Sequence, residues 1–160
     1  MAKAIVGVGA NLGDAIAQVR AGLAAVGALP GTRLVATSSL YRTAPVGYAN
    51  QPDFINAAAL VETSLPPRAL LSELQAIEAR FGRSRSFKDA PRSLDIDLLL
   101  YDDLAIDEPG LVVPHPRLHE RAFALAPVVE LDPERVIPGR GQAREWLARC
   151  ADQRVDRLGP

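Results

Sequence analysis

Asp95 and Asp97 interrupt the stretch PRSLDIDLLLY, residues 91–101, which otherwise reads as an apolar strand. Side chains alternate faces along a strand, so Asp95, Asp97, Leu99 and Tyr101 are expected on one surface. Leu94, Ile96, Leu98 and Leu100 are then expected on the other, against the core. At about 3.3 Å per residue the two carboxylates stand roughly 6–7 Å apart. Two like charges held this way repel unless a counter-charge lies between them, and a hard divalent cation bound through oxygen removes that repulsion. Two surface aspartates on a solvated strand face are the plain alternative, and D-x-D alone does not decide between them.

The flanking residues favour the cation. Arg83, Arg85, Lys88 and Arg92 precede the aspartates in GRSRSFKDAPR, residues 82–92, a polar stretch expected to form a mobile loop. Guanidinium groups pair with phosphate oxygens through two hydrogen bonds. Cations on a closing loop beside a carboxylate–metal site make sense when a polyphosphate lies between them. A third piece is VPHPRLHERAF, residues 113–123. Pro114 and Pro116 restrict the backbone around His115, and Arg121 follows six residues later, expected on the next helix. A held histidine near an arginine suits phosphate contact, although a proline-framed helix start with an incidental histidine has the same pattern. His119 lacks such framing and is expected to face solvent.

The elements that must position these groups follow from periodicity. Residues 4–9, AIVGVG, read as a strand; a helix runs from an N-cap at Asp14 with Ile16, Val19, Leu23 and Val26 on one stripe. Residues 32–43 and 54–64 read as strands, separated by the loop APVGYANQPD. After Pro66-Pro67 a helix is expected to about Phe81, with Leu70, Leu74, Ile77 and Phe81 aligned, and the aspartate strand follows. One or two short strands come next, then two helices near 117–129 and 142–151. The order β-α-β-β-α-β with short strands and C-terminal helices added predicts an α+β fold, a ferredoxin-like α/β sandwich. One domain over residues 1–160 is expected.

Composition narrows the partners. The chain has 160 residues, a net charge of -1 and 5% aromatic residues, so no broad field favours nucleic acid or a membrane. No apolar run approaches the roughly 18 residues of a membrane span, and a cytoplasmic location is expected. The single cysteine, Cys150, excludes an internal disulfide; it and Trp146 are expected to pack in the C-terminal helix. The phosphate-binding signature G-x-x-x-x-G-K-[ST] does not occur. GVGANLG, residues 7–13, misses the dinucleotide fingerprint. What remains is an unusual phosphoryl or nucleotidyl transferase. A ferredoxin-like module that binds nucleotide or RNA without catalysis is the competing class, and the charge and low aromatic content argue against it.

Taken together, GVGANLGD (7–14), SSLYRTAPVGYANQPDFINAA (38–58), EARFGRSRSFKDAPRSLDIDLLLY (78–101) and VPHPRLHERAFALAPVVEL (113–131) resemble the 6-hydroxymethyl-7,8-dihydropterin pyrophosphokinases of folate biosynthesis. The resemblance implies transfer of pyrophosphate from ATP to the hydroxymethyl group of the reduced pterin, with release of AMP, by a monomer acting on small molecules. It implies Asp95 and Asp97 as ligands of two Mg²⁺ ions. It makes Arg83 and Arg92, supported by Arg85, the loop arginines on the triphosphate, with Gln75, Glu78, His115 and Arg121 lining the nucleotide side. For the pterin it points to Thr43, Ala44, Pro45 and Val46 by backbone contact, Asn56 by its amide, and Phe54 and Phe123 as stacking faces. The chain departs from some members by lacking a tryptophan in the 82–92 loop and by having Gly110 before the Pro-His element.

Overall fold

The computed structural model describes residues 1–44, 52–82 and 94–159. The expectations for Pro45, Val46, Arg83, Arg85, Lys88 and Arg92 therefore lie outside the described residues.

Strand β1 (Ala2–Ala10) leads into helix α1 (Ala15–Gly27), whose first turn is capped by Asp14, the carboxylate accepting from Ala17 N at 3.1 Å. The second strand was expected unbroken over 32–43, but it is two pieces, β2 (Thr32–Thr37) and β3 (Tyr41–Thr43), both paired to β4 (Phe54–Thr63). The cause is the Ser38-Ser39 pair. Ser38 exchanges bonds with Ala58 through its own N–H and its hydroxyl, and the Ser39 N–H is drawn to Glu130, side-chain chemistry that competes with a regular ladder. Helix α2 (Pro67–Gly82) then crosses to β5 (Asp95–Tyr101).

Strands β6 (Ile106–Glu108) and β7 (Leu111–Val113) form a hairpin. A 3-10 turn (Leu118–Glu120), α3 (Ala122–Leu131), the small hairpin of β8 (Val136–Ile137) and β9 (Gly141–Gln142), α4 (Ala143–Ala148) and β10 (Val155–Arg157) complete the chain. In the sheet β3 and β2 pair with successive stretches of one edge of β4, β1 takes its other edge and β5 follows, all antiparallel, and β10 extends the β3 edge. This is the ferredoxin-like α/β sandwich with its added strands and helices.

The sheet is covered on both faces, where one core face was expected. Helices α1 and α2 pack Val19, Leu70, Leu74 and Ile77 against Val6, Val8, Ile96 and Leu98. On the opposite face, Leu125 and Val128 of α3 pack against Ile5, Ala58, Leu99 and Leu100. The strict alternation expected for β5 fails here. Ile5 of β1 pairs with Leu100 and Val6 with Leu98, so Leu99 is an extra residue in a bulge. Leu100 consequently turns to the α3 side, and Tyr101 turns to the α1–α2 side, where its hydroxyl donates to Leu65 O at 2.6 Å. His119, expected to face solvent, is only 12% exposed at its side chain and packs edge-on against Trp146.

Glu130 ties the end of α3 to the sheet. Its carboxylate accepts from Ser39 N and Oγ at 3.0 Å, from the Tyr41 hydroxyl at 2.6 Å and from the Arg157 guanidinium at 3.3 Å. Burial raises its pKa, but the Tyr41 and Ser39 bonds and Arg157 outweigh that and hold it below the ordinary 4.5. A carboxyl lowered on folding contributes stability that is complete above 4.5 and is lost as pH falls through the folded value. Glu130→Ala is expected to cost about 2–3 kcal/mol through the orphaned Ser39 and Tyr41 donors. Thermal unfolding will read this as a fall of roughly 5–10 °C for a chain of this size. The difference from the unsubstituted protein should narrow as the scan is repeated at successively lower pH below 4.5; a constant difference would contradict the assignment.

Candidate active site

Strand β5 is the edge of the sheet, and its outer backbone groups are used to place two site residues. Ile96 N donates to Glu78 Oε2 of α2 at 2.8 Å, and Leu99 O accepts from His115 N at 3.0 Å. An edge strand must satisfy or cover such groups, and here the cover carries two of the candidate site residues, Glu78 and His115. Between these two anchors Asp97 is half-buried and Asp95 is exposed. Opposite them on β1, Gly9 is the partner of Asp95 and Gly7 of Asp97. Paired residues share a sheet face, so the two glycines form a floor without side chains beside the two carboxylates.

A cavity of about 900 Å³ opens over that floor. Every candidate residue within the described regions lines it. Asp95, Asp97, Gln75, Glu78, His115 and Arg121 border its polar part. Thr43, Ala44, Phe54, Asn56 and Phe123 border the rest. The β3–β4 ladder, with Thr43 opposite Phe54 and Tyr41 opposite Asn56, sets the second group.

His115 lies between the proline-restricted Val113–Pro114 cis bond and Pro116. Its Nδ1 accepts from Arg117 N at 3.1 Å, which leaves Nε2 to carry the proton of the neutral ring. Burial lowers its pKa; Asp97 opposes this, and Arg121 and Arg117 reinforce it. The histidine is thus a neutral donor that senses both the carboxylate and the arginine. Arg117 is occupied by Glu120 at 3.2 Å. By contrast, among the described residues no carboxylate pairs with Arg121, whose guanidinium carbon lies 5.5 Å from the Phe123 ring centre. An unpaired guanidinium facing a cavity is suited to an anionic ligand.

At the other end Asn56, 8% exposed, donates its Nδ2 to Thr43 Oγ1 at 2.8 Å. That bond fixes the amide plane and leaves Oδ1 and a second N–H for a ligand edge. A Cβ added at Gly9 would stand 2.4 Å from Asn56 Oδ1, so this position requires glycine.

The donor set can be judged for a metal. Among the described residues no group of three or more His, Cys, Asp or Glu side chains could hold an ion. Asp95 and Asp97 therefore form no self-sufficient protein cage within those residues. Two carboxylates fit a hard cation that takes its remaining oxygens from substrate phosphates and water.

The glycine floor is not among the expectations from sequence, where GVGANLG misses the dinucleotide fingerprint and contributes otherwise only to the family resemblance. The available signal was the i, i+2 spacing of Gly7 and Gly9, which matches that of Asp95 and Asp97. Gln153, which also lines the cavity, has no local motif and was not legible.

The family described as 7,8-dihydro-6-hydroxymethylpterin-pyrophosphokinase (HPPK) matches residues 5–133. The 2-amino-4-hydroxy-6-hydroxymethyldihydropteridine pyrophosphokinase of Pseudomonas aeruginosa is 42% identical over 156 residues, 98% of this chain and 96% of that protein. The enzyme of the same name from Haemophilus influenzae is 39% identical over 160 residues, the full length of both. Among solved structures, a Plasmodium falciparum HPPK-DHPS triple mutant with SDX-DHP has a TM-score of 0.74 at 16% identity. That match covers 92% of this chain and 44% of the longer one, and it is a likeness of fold.

Proposed function

The chain belongs to the 7,8-dihydro-6-hydroxymethylpterin-pyrophosphokinase family, and from that premise we propose how its residues divide the work of the reaction. The enzyme transfers pyrophosphate from ATP to the hydroxymethyl group of 6-hydroxymethyl-7,8-dihydropterin, a step of folate biosynthesis, and releases AMP. The hydroxymethyl oxygen attacks the β-phosphorus; the new O–P bond forms as the bond from the β-phosphorus to the α–β bridging oxygen breaks, and AMP departs with that oxygen. Such transfers depend mainly on positioning and on charge stabilisation.

Asp95 and Asp97 would hold the two Mg²⁺ ions, with the substrate phosphates supplying further oxygens. When bound, these cations neutralise charge on the phosphate oxygens. His115 donates through Nε2 to a phosphate oxygen, and Arg121 pairs with the nucleotide phosphates. Gln75 and Glu78 line the nucleotide side. Arg83 and Arg92, with Arg85 in support, are assigned to the triphosphate by the family resemblance. Asn56 reads the donor–acceptor edge of the pterin while Phe54 and Phe123 face its rings, an arrangement suited to a flat heterocycle. Backbone contacts to the pterin are assigned to Thr43 and Ala44, which line the cavity, and by the family resemblance to Pro45 and Val46. The chain acts as one domain over 1–160, as a cytoplasmic monomer on small-molecule substrates, without nucleic acid or membrane.

One observation carries this reading: a single cavity joins the carboxylate pair, His115 and the unpaired Arg121 to a buried amide and two phenylalanines. The first set suits a polyphosphate and the second a flat polar ring. Incubation with ATP, Mg²⁺ and the reduced hydroxymethylpterin should yield AMP, separated from ADP by chromatography. Chelation of the divalent cation should stop the reaction. ADP as product, or no nucleotide turnover, would overturn the proposal.

A further inference from the structure

We infer that Gln153 is a positioning residue for the phosphate end of the site, acting through the backbone on either side of Arg121. The inference rests on Arg121 as a nucleotide-phosphate ligand. Gln153 Oε1 accepts from Ala122 N at 2.9 Å, and Gln153 Nε2 donates to Glu120 O at 2.8 Å. These two groups flank Arg121, whose φ of -121° and ψ of 109° make it an extended residue between the 3-10 turn and α3. In an extended residue the preceding C=O and the following N–H point to the same side, as in a ladder. A primary amide presents one acceptor and one donor side by side and so closes this pair as a neighbouring strand would.

The clamp has a physical reason to exist. The first N–H groups of a helix have no partner within it, and Arg121, at the N-cap of α3, makes no side-chain cap. Ala122 is 2% exposed, too buried for water to serve its N–H. Gln153 supplies the missing acceptor from 31 residues away. The remaining backbone groups of Arg121 are already used, its N–H by Leu118 O at 3.3 Å and its C=O by Leu125 N at 3.0 Å. With Gln153 in place the residue is held on all four sides, and the Arg121 side chain leaves the backbone in one direction, over Phe123.

Gln153 lies in a C-terminal segment whose next residues are tied to the β3–β4 side of the cavity. Gln153 N donates to Cys150 O at 2.9 Å, Arg154 pairs with Asp53 at 2.6 Å, and Val155 is the ladder partner of Thr43. The C-terminal segment thus spans the cavity from the Thr43–Phe54 side to the Arg121–Phe123 side. This segment lies beyond residues 5–133, the stretch over which the family matches.

The test is calorimetric binding of α,β-methylene-ATP with Mg²⁺ to the full chain and five variants. Gln153→Met, which keeps length and removes both bonds, is expected to weaken binding roughly tenfold. Gln153→Glu keeps the acceptor for Ala122 and should lose less. Tyr41→Phe, which loses a bond to Glu130 far from Arg121, should lower the thermal midpoint with unchanged affinity, separating positioning from general destabilisation. In an Arg121→Ala background, Gln153→Met should add nothing further, because both act through one group. Unchanged affinity in Gln153→Met, or an undiminished effect in the Arg121→Ala background, would overturn the inference. Arg121→Ala with unchanged affinity would instead refute the role of Arg121 as a phosphate ligand.

Discussion

Asp97→Ala is expected to lower AMP formation by about 10²–10³-fold or more, the scale on which removing a directed charge stabiliser acts in other enzymes, while the protein stays folded. The separation of activity from stability follows from the position of the residue. Asp97 is half-buried on the cavity face of β5, and among the described residues its carboxylate has no hydrogen bond or ion pair. Its truncation leaves no donor orphaned and relieves repulsion from Asp95 across the same face. The packing residues of the strand, Ile96 and Leu98 on one side and Leu99 and Leu100 on the other, are untouched. Single-turnover AMP formation and thermal unfolding, measured together, decide the matter. Retained turnover would remove Asp97 from the phosphate chemistry, and lost turnover with collapse of the fold would make its role structural. Asp97→Asn, with the same shape and no charge, should behave like the alanine variant.

Gly9→Ala should raise KM for the pterin by roughly 10–100-fold, the cost of misplacing one buried hydrogen-bonding group, with little change in KM for ATP. The added methyl carbon would lie 2.4 Å from Asn56 Oδ1 and 3.6 Å from Ile55 O. Strand β4 cannot retreat, because it is laddered to β1 on one side and to β2 and β3 on the other. The Asn56 amide must therefore swing away from Thr43, with which it shares a 2.8 Å bond, and lose its fixed plane. Gly7→Ala is the milder comparison. Its methyl would meet Leu99 Cδ1 at 3.1 Å, the end of a side chain that can shift. Equal effects of the two substitutions on pterin KM, or none at Gly9, would show that the Asn56 amide does not read the pterin edge.

Much of the site was legible because its chemistry is written locally. An i, i+2 pair of aspartates in an apolar run needs only strand alternation to share a face, and Asp95 and Asp97 do line one cavity. The Asp14 cap and the helical stripe of Leu70, Leu74 and Ile77 depend on neighbours within a few residues, and both are found where periodicity puts them. The Pro-His-Pro framing of His115 is equally local. Expectations failed where distant segments compete. The bulge at Leu99 arises from the register between β1 and β5, and it reverses the faces of Leu100 and Tyr101. The break at Ser38 depends on Ala58 and Glu130, and the burial of His119 depends on Trp146.

The amino-acid sequence by itself determined which reacting groups the chain carries, the β-α-β-β-α-β order of the core elements and the shared face of Asp95 and Asp97, since these follow from periods of two or 3.6 residues. Tertiary structure alone decided that Gly7 and Gly9 lie beside the aspartates, that Glu78 and His115 take the open edge of β5, and that Gln153 bonds to Ala122 N, 31 residues away, and to Glu120 O. Register, edge capping and remote hydrogen bonds are settled by packing two cores against one sheet at once, and no local pattern encodes that balance.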